Sequence, residues 1–577
     1  MKPEPAIAYF SMEIALDPAM PTYSGGLGVL AGDSLRAAAD LKLAMIGVTL
    51  IHRGGYFFQR IAVDGNQTEE PVEWMPDDYL EQLDTRVTVR LEGRSVQVAT
   101  WRYGVRGVTG HEVPVILLDT DVPENSEADR SITRHLYGGD GRYRLLQEAV
   151  LGIGGVRMLR ALGLTNLERY HMNEGHAALL VLELLKEEAG GRQAGLTEKD
   201  VVDTIRQRCV FTTHTPVEAG HDKFPIDLVR QVLEPELTEA LEPAKGQDAL
   251  CCNGVLNMTF LGFNLSHYIN GVAKRHGEVS RQMFGHYPID AITNGIHSAT
   301  WAAPPIAALF DKYIPGWRED TATLRYGMAI ERDELWNTHQ KSKRHLIEEV
   351  NRDTNAGLDL DIFTIGFARR ATAYKRPDLI LTDTDRLIRL SREAGPVQLL
   401  FAGKAHPHDE PGKEIIRTIV RECRALHPEI RAAYLPNYDM ELCRTMVAGV
   451  DLWLNTPHPP MEASGTSGMK AAVNGVPSLS ILDGWWLEGC VEGVTGWAIG
   501  TDTLARNPDG SAAGLPWDEA RQRDAESLYA KLENVILPLF YNDRTGYVEV
   551  MRHAIAINGS FFNTRRMMQN YIAKAYL

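Results

Sequence analysis

The sequence predicts an α/β protein built from two open, doubly wound parallel sheets, one to a domain. Three observations carry that expectation. At 577 residues the chain is too long for one compact core and calls for roughly two to four domains. Near the N-terminus a strand, a glycine turn and a helix follow one another, the layout of a mononucleotide-binding unit. Beyond residue 360, short apolar runs alternate with amphipathic helical stretches, as a parallel sheet with helical crossovers requires.

Residues 6–13 (AIAYFSME) read as a buried strand ending at Glu13. Tyr23-Ser24-Gly25-Gly26-Leu27-Gly28 then leads into the helical pattern VLAGDSLRAAADLKL, and AMIGVTLI completes a β-α-β unit. Glycines there let backbone N–H groups face a phosphate, although a tight turn without a ligand fits the same residues. Between residues 86 and 118, VTVRL, VQVATW and VPVILL alternate as inserted β-hairpins should. A long helix is expected over 142–162. Asn173-Glu174-Gly175-His176 then opens the helix AALLVLELLKEE, and the same strand-to-helix placement recurs at His214 in VFTTHTP. A histidine at such a junction can bond a ligand, but a lone one is more often structural. A helix over 264–284 is expected to carry Asn270-Gly271-Val272-Ala273 and His276. With Asn294-Gly295 and several prolines, 291–318 reads as the hinge between halves, followed by a charged helix over 328–353. The second sheet is expected from FTIGFA (363–368), QLLFAG (398–403), AAYLP (432–436), LWLN (452–455) and PSLSI (477–481), and the tail beyond 522 reads as helical.

Composition narrows the function classes. A formal net charge of −16 argues against nucleic acid or an anionic membrane as the main partner, though local cationic clusters can still take a small phosphate. The start of the chain lacks the apolar run of a signal peptide, and no stretch is long and apolar enough for a bilayer. Six cysteines without CxxC spacing fit thiols in a reducing cytoplasm, with Cys251 and Cys252 as buried small residues rather than a redox pair. Histidines near strand ends raise zinc, but no HxxxH or HExxH pair appears, so sugar or phosphate hydrogen bonding is the stronger reading and no metal is expected.

The stretch Glu462-Ala463-Ser464-Gly465-Thr466-Ser467-Gly468-Met469-Lys470 joins a strand end to a helix. Its small residues and helix-initial N–H groups make an anion site. Lys470 is either a stabilising cation or, if dry, a Schiff-base amine, and the spacing does not decide. The plain alternative is a capping turn followed by a solvated lysine. Other polar clusters follow the neighbouring strands: Arg369, Arg370, Lys375 and Arg376 after the first, Gly403-Lys404 after the second, Asn437-Tyr438 after the third. Ligands bind beyond the carboxyl ends of such strands. Together with the glycine turn of the other half, these clusters imply a cleft between two Rossmann-like domains that holds at least one phosphate. Glu462 then calls for an uncharged, hydroxyl-rich partner, because a carboxylate beside phosphates alone would repel them.

These blocks resemble the α-glucan (glycogen, starch or maltodextrin) phosphorylases. The matching stretches are YFSME, GGLG, NEGH, INGVA, TNGI, RRATAYKR, GKAHP, NYDMEL, EASGTSGMK and DGWW, in the family's order and over most of the chain. The resemblance implies a GT-B fold and pyridoxal 5′-phosphate held by Lys470. It implies that Thr466, Ser467, Lys375, Arg369 and Tyr438 bind the cofactor, and that Arg370 and the backbone of Gly26 hold inorganic phosphate. Glu462, Ser464, Gly465, Asn270, Leu27 and the His176 loop would read the glucosyl unit, so Lys470, Arg370, Lys375 and His176 are the implied catalytic set. The implied reaction is retaining phosphorolysis of an α-1,4-glucan by inorganic phosphate to α-glucose 1-phosphate, with the cofactor phosphate as acid and base. The chain departs from the family at Gly468, where Asn is usual, at Thr372-Ala373 in place of His-Glu, and at Ala15 in place of an aromatic. It also lacks a counterpart of the long N-terminal regulatory extension, so it resembles the short bacterial or archaeal branch, and control by phosphorylation or nucleotides is not expected. The expected domains are 1–300 and 301–577, with the terminal helices packing back on the first. Many relatives are dimers, which leaves a homodimer open, although no interface is readable. The rival is a nucleotide-sugar glucosyltransferase of the glycogen-synthase type, which shares the fold and glycine turn but has no need of Lys470. A non-catalytic glucan-binding protein is the third reading, against which the retained cations and carboxylate speak.

Overall fold

The computed structural model of the protein describes residues 5–190, 198–217, 220–239, 241, 251–252, 254–501 and 516–577. Contacts divide the chain into two compact units. Unit 1 comprises Met1–Phe57, Pro71–Thr293 and Met567–Leu577; unit 2 comprises Phe58–Glu70 and Asn294–Arg566.

The strands, in chain order, are β1 (Ile7–Phe10), β2 (Met45–Leu50), β3 (Phe58–Ile61), β4 (Gln67–Glu70), β5 (Glu81–Leu91), β6 (Arg94–Arg106), β7 (Glu112–Asp119), β8 (Arg169–Asn173), β9 (Cys209–Thr212), β10 (Lys223–Pro225), β11 (Cys251–Cys252), β12 (Val255–Asn257), β13 (Tyr268–Gly271) and β14 (Ile289–Ala291). They continue as β15 (Phe363–Ala368), β16 (Val397–Ala402), β17 (Arg431–Leu435), β18 (Leu452–Asn455), β19 (Ser478–Ile481) and β20 (Gly496–Ile499).

Unit 1 is organised by a nine-stranded sheet in the order β14-β13-β9-β8-β1-β2-β7-β6-β5. All of it from β14 to β7 is parallel, and β6 and β5 add an antiparallel edge. The runs read as inserted hairpins are thus the edge of the main sheet, because β7 pairs in parallel with β2. Strand order runs outward in both directions from β1 and β8, which makes their carboxyl ends a topological switch point. The helix Gly26–Asp40 crosses from β1 to β2, packing Leu30, Leu35 and Ala37–Ala39 into the core. The expected 142–162 helix is present as Gly141–Ala161, with a π-helical stretch over Val150–Gly154.

One expected element is wrong. Residues 264–284 do not form a single helix: β13 lies inside that range, between the helices Met258–Asn264 and Lys274–Met283. Tyr268, Ile269 and Asn270 pair in parallel with β9 on one side, and Ile269 through Gly271 with β14 on the other. A four-residue central strand is too short to show a period of two, and the helical patterns on either side hide it.

Unit 2 holds a six-stranded, wholly parallel sheet in the order β17-β16-β15-β18-β19-β20. β15 and β16 are buried along their whole length, hence their largely apolar sequence. Here the order reverses between β15 and β18. β20 is a sixth strand beyond the five expected, and the stretch read as a hinge contains the helices Ser298–Trp301 and Pro304–Tyr313. The charged helix spans Arg332–Thr354. The β3–β4 hairpin belongs to this unit: Gln59 and Gln67 donate to the carbonyls of Gly403 and Ala405, and Ile61 packs against Ala371, Ala405, Ile416 and Val420.

Cys209, Cys423 and Cys443 are buried free thiols and Cys490 is a half-buried one; the side chains of Cys251 and Cys252 lie outside the described residues.

Candidate functional site

In unit 2 the switch point gathers a carboxylate and two cations. Arg369, the first residue after β15, bonds Asn455 at the end of β18 and reaches both oxygens of Glu462, at 2.6 and 3.0 Å. Lys375 Nζ lies 2.6 Å from Glu462 Oε2. Glu462 is 4% exposed. Burial works against its charge, but the attraction and hydrogen bonds of Arg369 and Lys375 outweigh it and hold the carboxyl at about 2. Two cations against one anion leave the group net positive. The charge conflict foreseen for Glu462 beside phosphates is therefore already compensated within the protein. Arg370, the next residue, is exposed. Tyr438 is half-buried in the turn between Asn437, at φ 53°, and Asp439, which caps the helix Met440–Gly449. Lys404, after β16, is pushed down to about 8 by burial, against the opposing charge of Asp439.

The lysine segment follows β18. Gly465, at φ 90°, turns the chain into the helix Thr466–Val473. Thr466 and Ser467 occupy its first two positions, where backbone N–H groups lack intrahelical acceptors. Ser467 Oγ accepts the indole N–H of Trp453 at 3.2 Å, and Ser464 Oγ is buried with no hydrogen-bond partner among the described residues. Lys470 is 5% exposed, with Nζ 3.6 Å from the centroid of the Trp301 ring and 4.0 Å from Cys443 Sγ. It pairs with no carboxylate among the described residues. A buried lysine facing a ring and a thiol fits a covalent anchor better than a structural ion pair. Together with the orphaned Ser464 hydroxyl and the open helix N-terminus, it gives the segment the donor set that an aldehyde bearing a phosphate requires.

In unit 1 the switch point is built on Glu13. Its Oε2 accepts the backbone N–H groups of Ser24 (2.5 Å) and Gly25 (3.2 Å), and Oε1 accepts the Tyr137 hydroxyl at 2.9 Å. The first part of the glycine turn is thus filled by a carboxylate of the protein. Gly26 and Leu27 start the helix, and Gly26 is exposed, with open space where a side chain would stand. Gly28 has no such room: a Cβ there would lie 2.7 Å from Glu13 Oε2.

Asn270 and His176 are both buried. Asn270 is fully buried, its Oδ1 accepts from Thr212 Oγ1 at 3.0 Å, and its Nδ2 donates to Gly271 O at 3.0 Å and to the Tyr571 hydroxyl at 3.1 Å, which leaves one lone pair of Oδ1 open. His176 is 2% exposed, and burial, reinforced by the charge of Arg144, lowers it to about 3. It is a neutral ring rather than a proton carrier near neutral pH, and its Nε2 has no hydrogen-bond partner among the described residues. The stronger network is next to it. Glu174 accepts the backbone N–H of His214 at 2.6 Å, that of Gly175 at 3.1 Å and the Thr215 hydroxyl at 3.0 Å, and burial holds its carboxyl up at about 7. His214 Nε2 lies 2.6 Å from Asn173 Oδ1. The recurrence of His at two adjacent strand ends was the available signal, and Glu174 had none beyond its place before Gly175. Among the described residues no cluster of three or more His, Cys, Asp or Glu side chains could hold a metal ion.

The family model for carbohydrate phosphorylases matches residues 249–493. The chain is 39% identical to a maltodextrin phosphorylase of Thermococcus litoralis, over 99% of this chain and 70% of the relative. It is 38% identical to a glycogen phosphorylase of Mycobacterium tuberculosis with the same coverage, and 36% identical to one of Aquifex aeolicus over 99% and 86% of the two chains. A likeness of this extent, over 99% of the chain and so through both sheets and the lysine segment, means that the chain belongs to the carbohydrate phosphorylase family.

Proposed function

We propose that the chain is an α-1,4-glucan phosphorylase, which releases the non-reducing-end glucose of a glycogen- or maltodextrin-like chain as α-glucose 1-phosphate with retention. The names of its relatives support the reaction class. The observation that carries the reading is Lys470, buried one turn into its helix against Trp301 with no carboxylate partner among the described residues. On this reading Lys470 bears pyridoxal 5′-phosphate, which supplies a phosphate group that exchanges a proton with the substrate phosphate. The N-terminal N–H groups at Thr466 and Ser467 bind the cofactor phosphate through the helix dipole, with Arg369 and Lys375 as nearby positive charge and Tyr438 as a further donor. Exposed Arg370 and the N–H of Gly26 hold inorganic phosphate. Glu462, Ser464, Gly465, Asn270, Leu27 and the His176 loop bond the sugar hydroxyls. Fixed cations and backbone dipoles stabilise the phosphate as the glycosidic bond breaks. Free thiols at Cys209, Cys423, Cys443 and Cys490 support a cytoplasmic setting. No helix among the described residues is long and apolar enough to cross a membrane.

The rival glucosyltransferase reading has no use for a dry lysine at this position. Cofactor absorbance of the purified or reconstituted protein separates the two. The proposal expects roughly one pyridoxal phosphate per chain, lost in Lys470→Ala. A protein that neither contains the cofactor nor takes it up would overturn it.

A further inference from the structure

Asp483-Gly484-Trp485 follows β19 and has no part in the chemistry above, yet each of the three touches the segment from Glu462 to Lys470. Asp483 Oδ2 accepts the backbone N–H of Glu462 at 2.9 Å, and its Oδ1 accepts the N–H of Gly484 at 2.9 Å. The N–H of Trp485 donates to the Ser464 carbonyl, also at 2.9 Å. Gly484 stands at φ +55°, and a Cβ there would lie 2.4 Å from Ser464 O and 3.1 Å from Glu462 Cγ, so only glycine lets the two strands of backbone come this close.

The Trp485 ring completes the contact. It is 1% exposed and fixed from behind by the Trp486 ring at 5.0 Å and the Phe562 ring at 4.8 Å. Its edge runs along the two glycines of the lysine segment. A Cβ on Gly465 would stand 3.3 Å from Trp485 Cδ1, and a Cβ on Gly468 would stand 2.8 Å from Cζ2 and 3.2 Å from Nε1. Gly468 is helical and needs no positive φ, so its lack of a side chain is required by the indole and not by the backbone. The ring occupies the volume a side chain at 468 would fill, and it does so against the first turn of the helix whose N–H groups point to the proposed phosphate.

We propose that Asp483, Gly484 and Trp485 are the positioning residues of the site. Asp483 and Gly484 fix the carboxylate end at Glu462–Ser464, and the Trp485 ring, fitted to Gly468, fixes the first turn of the helix that carries Lys470. The inference rests on the proposed function only for its ligand, because the fit of Trp485 to Gly468 is a property of the chain alone.

The test is a double-mutant cycle on the full-length protein with Gly468→Ala and Trp485→Phe, the smallest changes that add the Cβ and remove the indole edge. Each variant is stripped of cofactor, titrated with pyridoxal phosphate, and unfolded thermally as apoprotein. Gly468→Ala in the parent background is expected to weaken cofactor binding at least tenfold. In the Trp485→Phe background the same change is expected to cost threefold or less, because the space is free. Equal losses in both backgrounds would overturn the proposal. Asp483→Asn is the second arm: an amide oxygen in place of two carboxylate oxygens gives up one of the two N–H bonds. It is expected to weaken cofactor binding while the apoprotein's melting temperature stays within a few degrees of the parent's. A large melting shift with unchanged cofactor affinity would make Asp483 a purely structural residue and refute its positioning role. If the parent itself takes up no pyridoxal phosphate, the proposed function fails. The thermal cycle then still decides the fit: melting losses from Gly468→Ala that are the same with and without the indole would overturn it.

Discussion

Glu462 and Asp483 are neighbouring buried carboxyls that titrate in opposite directions. Arg369 and Lys375 hold Glu462 at about 2. Asp483, pushed up by burial and further by the charge of Glu462, although two backbone N–H groups and Lys375 oppose this, sits at about 7. The signs follow from proton binding in the two states. Above the ordinary carboxylate range Glu462 adds stability, about 3 kcal/mol from the difference between its folded and unfolded values, and this is lost as pH falls from about 4.5 to 2. Asp483 binds its proton up to about pH 7 in the folded protein but only to about 4 unfolded, so it subtracts stability as pH rises across that window. Urea unfolding of Asp483→Asn between pH 4.5 and 7.5 should therefore show a flatter decline with rising pH than the parent; an unchanged slope would place the buried proton elsewhere. Asn270 gives a prediction of another kind. With its amide bonded to Thr212, Gly271 and Tyr571, Asn270→Ala is expected to cost about 1–3 kcal/mol of stability. The proposed sugar-reading role expects a loss of substrate affinity per folded molecule as well; unchanged affinity would limit Asn270 to the packing of unit 1.

At the scale of elements, the legible parts were those whose pattern is local. β15, β16 and β18 stood out because parallel strands buried on both faces are largely apolar runs, here between amphipathic helices. β13 was lost because four residues cannot display a period, and β20 because it begins at Gly496 and spans only four residues. The glycine turn was legible as a turn, but not as one half filled by Glu13, since the contact joins residues eleven and twelve apart in sequence through a carboxylate that could equally have faced solvent. The turn supplies its own prediction. Gly28→Ala should push Glu13 off the Ser24 and Gly25 N–H groups and lower the thermal midpoint by several degrees, whereas Gly26→Ala, with open space around it, should leave stability nearly unchanged. Equal melting temperatures for the two variants would contradict the packing described for Glu13.

At the scale of the whole molecule, two non-local excursions define what each unit contains. The β3–β4 hairpin belongs to unit 2 through Gln59, Gln67 and Ile61, and nothing in its local sequence announces that. The last eleven residues belong to unit 1: Tyr576 bonds His171 at 2.7 Å, Tyr571 bonds Thr212 and Asn270, and Met567 and Met568 enter the core. The packing-back of the tail was an expectation of the family resemblance, and the polar contacts that hold it were not readable from either end alone. Removing residues 567–577 takes one hydrogen-bond partner each from His171, Thr212 and Asn270 and uncovers part of the core, and should lower the stability of unit 1 by about 3 kcal/mol or more, read as an earlier unfolding transition. The site's chemistry was legible in residue types and order, while its charge balance, two cations closed on Glu462, needed coordinates. The most direct test of the account is phosphate-dependent release of glucose 1-phosphate from maltooligosaccharides by the full chain, with cofactor content measured on the same sample. The account predicts glucose 1-phosphate in proportion to bound pyridoxal phosphate, and none from Lys470→Ala. A cofactor-loaded protein that forms no glucose 1-phosphate from maltooligosaccharides and phosphate would contradict it.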